Sequence, residues 1–355
     1  MSWQRMIGWL IGIVATVALV GGTFLTAGGA VATAAPAART TAALAAASIT
    51  SKVTLPETSI DGPALASILP AAPTETTKSV LGWTGTDAAH HLNVETSSDG
   101  LHFGNKRVLN ETSPFHPAVT LLSQTGPVSI AWTGSDANHS LNVEWDVLGN
   151  HPTKLTLRDE SSLAAPGLLQ GESDPAGNVL FLAWTGVDPN HSLNILPITI
   201  STTTFQFFLG TKHVLSQFSS NAGPLLSPAG YRLEEGTNSI VLNWTSRALR
   251  PMAAIGRFPD LDFTVAALPE ASAFAPDTTI HLEYQNGPIW IGWTGTDPAH
   301  HLNLESTTTY PSFPNPKTIL SDTAFGGPAL AINAGNQIAW TGTDAAHHLN
   351  VAKFA

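Results

Sequence analysis

Five times the chain places an acidic residue and a histidine three positions apart, shortly after a tryptophan. The sets are Trp83, Asp87 and His90; Trp132, Asp136 and His139; Trp184, Asp188 and His191; Trp293, Asp297 and His300; and Trp340, Asp344 and His347. An indole can stack on the apolar face of a sugar ring, and carboxylate, imidazole and the nearby Asn can hydrogen-bond hydroxyls, so the pattern suits a repeated carbohydrate pocket. Two of these residue types also have a structural use. Asp after Thr-Gly closes turns by accepting backbone N–H groups, and a Trp beside aliphatic residues packs cores. Histidine is the member that a turn does not need. Imidazole and carboxylate are competent metal ligands too, but successive copies should stand too far apart to share one ion, so neither a metal nor a cofactor is expected.

What must position these residues is a repeat. Trp83, Trp132, Trp184, Trp244, Trp293 and Trp340 follow one another at spacings of 49, 52, 60, 49 and 47 residues, with Trp244-Thr-Ser-Arg a worn copy of the phrase. Periods of this size mark propellers or solenoids. The residues before each Trp alternate, as in Leu81-Gly82-Trp83 and Ile338-Ala339-Trp340, and a second run such as Leu92-Asn93-Val94 follows the turn. Period two with turn chemistry between runs predicts strands, and no 3.6-residue period competes with it beyond the N-terminal segment. A phrase of the type Glu111-Thr-Ser…Pro117-Ala-Val precedes the Trp by about one hairpin, so each unit predicts a four-stranded sheet.

The last copy stops after its third strand. Its missing fourth is at the other end of the chain, where Lys52-Val-Thr-Leu-Pro-Glu-Thr-Ser matches Lys106-Arg-Val-Leu-Asn-Glu-Thr-Ser. A ring sealed by its N-terminal strand requires this arrangement, because closure leaves no unpaired edge between first and last units. The expected fold is all-β: one six-bladed β-propeller over residues 50–355, its sixth blade completed by residues 50–58. The Asp-x-x-His loops and the Glu-Thr-Ser connections should share one face.

Composition narrows the function. A net charge of -11, with 15 Lys+Arg against 26 Asp+Glu, excludes a phosphate-tracking nucleic-acid surface. The absence of Cys removes disulfides, thiolate metal sites and cysteine nucleophiles. Only 12% of residues are charged, about half the usual share, so the surface should be built from Thr, Ser, Asn and Gly in turns. After Arg5 the next charge is Arg39, and the stretch between them opens on an apolar run and ends in small residues. Residues 1–34 thus read as a signal peptide or a membrane anchor and residues 35–49 as an Ala/Thr/Pro-rich linker. Both readings put the propeller outside the cell, secreted or held at the outer face of the cytoplasmic membrane.

The fourth copy breaks the pattern. Ser246-Arg247-Ala-Leu-Arg250 replaces the Asp-x-x-His turn, and Arg232 and Arg257 lie nearby. Guanidinium forks bind carboxylates, so Arg247 and Arg250 could hold an acidic ligand; drift in a degenerate copy would leave the same residues.

Two segments carry a family resemblance. Ser97-Ser-Asp-Gly-Leu-His-Phe103 resembles a shortened Asp-box of sialidase-like propellers, and Trp-Thr-Gly-Thr-Asp resembles blade motifs of secreted bacterial propellers and propeller lectins. The resemblance implies a carbohydrate ligand, and fold does not fix activity. Sialidases of that superfamily use an arginine triad and a Tyr paired with Glu. Glu283-Tyr284 matches the second, but should lie on the face opposite Arg247 and Arg250, and the five intact loops carry no arginine. The leading expectation is therefore a noncatalytic, monomeric binding propeller for a glycan or cell-surface polysaccharide. A sialidase-like glycoside hydrolase and a protein-interaction scaffold are the alternatives.

Overall fold

Alternating runs around Trp-Thr form strands, as their period requires. The structure, a computed structural model, describes residues 46–68, 78–123, 126–171, 177–228, 238–280, 288–332 and 335–355. The expected signal or anchor segment, most of the linker, Arg232 and Glu283-Tyr284 lie outside the described residues. The chain enters at β1 (Ile49–Thr58). Blade one is β2 (Ala64–Ile68), β3 (Lys78–Thr84), β4 (His91–Ser97) and β5 (Gly104–Thr112). Blade two is β6 (Ala118–Leu121), β7 (Val128–Thr133), β8 (Ser140–Trp145) and β9 (Thr153–Ser161). Blade three is β10 (Gly167–Gln170), β11 (Asn178–Thr185), β12 (Ser192–Ile200) and a fourth strand broken into β13 (Phe207–Leu209) and β14 (His213–Ser219). Blade four is β15 (Leu225–Pro228), β16 (Asn238–Thr245), β17 (Pro251–Phe258) and β18 (Thr264–Ala267). Blade five is β19 (Asp277–Ile280), β20 (Ile289–Thr294), β21 (His301–Thr307) and β22 (Thr318–Thr323). Blade six is β23 (Ala329–Ile332), β24 (Asn336–Thr341), β25 (His348–Phe354) and, returning from the N-terminal side, β1.

This is the six-bladed propeller that the repeat predicts. All strands pair antiparallel, and the inner strands β2, β6, β10, β15, β19 and β23 each touch the next around a closed ring. The seal falls where expected, with Val53 opposite Val351 and Thr54 opposite Asn350. Its strand begins one residue earlier than the sequence suggests, and Ala47 is buried against the blade-five and blade-six core.

Trp-Thr persists in all six copies because it fastens neighbouring blades. The Thr hydroxyl donates to a backbone carbonyl in the connection leading to the next blade: Thr84 to Phe115, Thr133 to Ala164, Thr185 to Ala222, Thr245 to Phe274, Thr294 to Gly326 and Thr341 to Asp61. In the opposite direction, the Ser59, Ser162 and Ser220 hydroxyls donate to the carbonyls of Thr84, Thr185 and Thr245 in the following blade. Buried polar groups left unmet would cost more than each bond contributes, so the Thr bond recurs in every blade and the Ser bond joins three of the boundaries. Asp277 is a further tie on the inner strands. Its carboxylate accepts from the Ser227 hydroxyl at 2.9 Å and the Leu330 N–H at 2.7 Å, joining blades four, five and six.

Candidate functional site

The Asp-x-x-His turns connect the second and third strands of five blades. Asp87 accepts the backbone N–H groups of Ala89 and His91 and faces the His91 ring at 2.7 Å. Asp136 and Asp188 do the same with a Ser in place of the second His, and Asp297 and Asp344 repeat the His arrangement through His301 and His348. Desolvation would raise the Asp87 carboxyl, but the bonds from His91 and Ala89 outweigh it and hold the group below the usual carboxylate range. The preceding Gly is fixed by close approach: a Cβ on Gly85 would meet the Asp87 carboxylate at 2.8 Å and the Asn93 amide at 2.9 Å. The conserved acid is thus a turn-closing group in each copy.

The first histidine of each set stands differently. His90, His139, His191, His300 and His347 all have left-handed backbone, with φ between 49° and 58°, a conformation uncommon outside Gly, in which Asn, Asp and His are the enriched residues. Their carbonyls accept N–H groups from the connection to the next blade, as His90 does from Ser113 and His347 from Ser59, so the two loop sets share a face as expected. These residues are half-buried or exposed there, the Nδ1 of His90 being buried. His139 faces Phe115 at 6.5 Å, His347 faces Phe325 at 4.3 Å, and His191 Nδ1 lies 3.1 Å from the Asn221 side chain.

Blade four shows which parts the fold requires. Its turn is two residues shorter; Ser246 Oγ accepts the Arg250 N–H in place of the Asp, and Leu249 takes the left-handed position at φ 60°. The Leu249 carbonyl still accepts from Ser272. A blade therefore closes without acid or imidazole. Arg247 and Arg250 are both exposed in this turn.

The tryptophans correct an expectation. Trp83, Trp132, Trp184, Trp293 and Trp340 are each 1% exposed and packed between blades, so their faces are not presented for sugar stacking. Each sits near the end of a second strand that faces the neighbouring blade, where aliphatic side chains and a lysine close over it. Lys106, Lys154, Lys212, Lys317 and Lys52 lie 5.0 to 6.0 Å from the Trp83, Trp132, Trp184, Trp293 and Trp340 rings, respectively. In the same order, the ammonium groups pair with Glu57, Glu111, Glu160, Glu270 and Asp322 of the preceding blade. These pairs join residues that sequence reading did not single out, although five of the seven lysines stand at this one repeat position. Between blades three and four the pair is absent: Phe218 replaces the acid, and its ring lies 4.7 Å from Trp244.

Blades one, two and five add a second carboxylate to the pair, Glu95, Glu144 and Glu305, each raised above the usual carboxylate range by burial and the neighbouring Glu. Burial first, and the charge of Glu270 second, push the Glu305 carboxyl up to about 7 against the lowering effect of Lys317. A raised acid favours the folded state below its unfolded value of 4.5, and that contribution is lost as pH rises through about 7. Glu305→Gln is expected to lessen the fall in stability over this range, with Glu95 and Glu144 retaining part of it. Urea unfolding of both chains across pH checks it; parallel pH profiles would refute it.

The Ser97–Phe103 segment folds as a tight turn between β4 and β5, with Ser97 and Asp99 accepting four backbone N–H groups. Among the described residues no three His, Asp or Glu side chains converge as a metal site would need.

No family model and no curated protein matches the chain. Solved structures do. The Aleuria aurantia lectin, described as a six-bladed β-propeller with a novel fucose recognition mode, is 10% identical, with 84% of this chain and 96% of that one covered and a TM-score of 0.59. At such identity the likeness is one of fold. SapL1 lectin, solved with α-methyl fucoside, gives 8% identity, coverage of 83% and 94%, and a TM-score of 0.54. The Hadza microbial sialidase Hz136 gives 13% identity and a TM-score of 0.50; the match covers 83% of this chain and 66% of the sialidase.

Proposed function

We propose that this propeller is a noncatalytic carbohydrate-binding protein, exported or attached at the cell surface, that engages glycans through repeated sites at the His-bearing loops. The observation that supports this most is blade four, which builds the same turn with Leu249 where five blades hold an imidazole. A residue that the turn can do without, present in all five intact copies, supports a role outside the fold. The neighbouring Asp oxygens, Phe115, Phe325 and Asn221 supply hydroxyl acceptors, apolar edges and an amide beside those rings. Repetition multiplies weak sites into avidity. Arg247 and Arg250 give blade four a cationic variant of the site, suited to a carboxylated sugar.

The test is a glycan array probed with the full chain and with a variant in which His90, His139, His191, His300 and His347 are all Asn, a residue that tolerates left-handed backbone. Retention of a glycan set by the wild type, lost by at least about 100-fold in the variant at unchanged Tm, is expected. An empty array, or equal binding by both chains, would sink the reading. A subset of sialylated or uronic glycans lost only in Arg247→Ala/Arg250→Ala would identify the blade-four site.

A further inference from the structure

The geometry points to a second, unrepeated binding site on the face opposite the His-bearing loops: a cleft between blades two and three that takes a neutral oligosaccharide. Both walls come from corners between third and fourth strands. In blade two, Asp146 at φ 60° closes the corner by accepting the His151 N–H at 3.1 Å, which sets His151 and Asn150 at the rim. In blade three the corner carries part of the extra length that makes the Trp184-to-Trp244 spacing 60 residues. Ser201 caps it, its hydroxyl accepting the Thr203 and Thr204 N–H groups. The chain then turns through Phe205 at φ 55° and lays β13 against the end of β12.

Non-glycine residues with positive φ are uncommon, and for a bulky side chain the conformation is an outlier. Here it brings the Phe205 ring parallel to that of His151, with centroids 5.1 Å apart and planes within 12°. The resulting cleft has a volume of about 750 Å³ and includes Phe205, Phe207, Leu155, Asn150, Gln206 and Thr153 in its lining. Phe205, Phe207 and Leu155 pack from below onto the apolar core of blades two and three, so the floor is supported.

The lining selects the ligand class. It combines aromatic and aliphatic surface with two exposed amides, Asn150 and Gln206, and a threonine hydroxyl. Aromatic surface suits the C–H face of a pyranose, and a primary amide can donate to one hydroxyl while accepting from its neighbour. No Lys, Arg, Asp or Glu lines the cleft and His151 is its one ionisable side chain, so a sialic or uronic carboxylate would meet no permanent cation there, and a neutral sugar is favoured over an acidic one. The volume exceeds that of a single pyranose, and the open shape suits a segment of a chain.

The test titrates the full chain calorimetrically with maltotriose, cellotriose, tri-N-acetylchitotriose and, as the acidic counterpart, trigalacturonate. At least one neutral trisaccharide is expected to bind at one site per chain. Phe205→Ala should weaken it about 20-fold and Asn150→Ala/Gln206→Ala about 10-fold; the second variant touches only exposed amides and keeps the fold. The His-to-Asn variant of the repeated loops should bind that trisaccharide as the wild type does, which separates this cleft from the loop sites. Silence with all three neutral sugars, preference for trigalacturonate, or binding unaffected by the Asn150/Gln206 variant would overturn the assignment.

Discussion

Trp132→Ala is expected to destabilise the propeller by about 3–5 kcal/mol, the range for deleting a buried aromatic side chain. Trp132 is nearly without solvent contact and shares its cluster with Leu92, Val94 and Leu109 of blade one and Val128 and Ile130 of its own blade. Its loss would open a cavity at a blade boundary and leave Lys154 without the ring beneath it. His139→Asn, seven residues away on an exposed turn, should cost less than about 0.5 kcal/mol. Urea unfolding of the two variants measures the contrast. Equal costs would mean that the fold needs imidazole and indole alike, and would remove the argument that separates holding residues from binding ones.

The second large effect is loss of the seal. A chain beginning at Ser59 lacks β1, which supplies the whole fourth strand of blade six, the Leu55 side chain packed with Trp83, Leu349 and Val351, and the Lys52–Asp322 pair. Without it β25 becomes the unpaired outer edge of blade six, a template for pairing with another chain. This truncated chain is expected to aggregate or to associate through β25 rather than to run as a folded monomer, and a synthetic peptide of residues 46–58 should restore the monomer. Size-exclusion chromatography with and without the peptide decides it; a monomer of unchanged Tm without the peptide would contradict the account.

The ring was legible because its evidence is repetition. Lys52 to Ser59 copies Lys106 to Ser113 without three strands before it, and only a circular arrangement gives such an orphan a partner. The Asp turns were legible for the same reason, since an acid four residues after the Trp closes the same local loop each time. Contacts between blades were not. Lys106 meets Glu57 and Lys212 meets Glu160 across 49 and 52 residues, and Lys52 meets Asp322 across 270; no local pattern distinguishes such a lysine from a solvated one. The tryptophans misled because an indole suits a sugar face and a blade boundary equally, and only packing tells them apart. The cleft between blades two and three hid in the one irregular spacing, where sequence gives extra length without saying that Phe205 and His151 come together.

The seal also sets an order of events. Thr50 on β1 hydrogen-bonds Lys353 at a sequence separation of 303 residues, so β1 cannot find its partner until β25 has been made. Contacts of such separation are slow to form, and until they do the early strand and the open edge of β25 are both available to the wrong neighbour. A growing chain must therefore keep residues 46–58 unpaired while five blades assemble behind them. Emergence of β25, rather than formation of any one blade, is the step that commits this molecule to its shape.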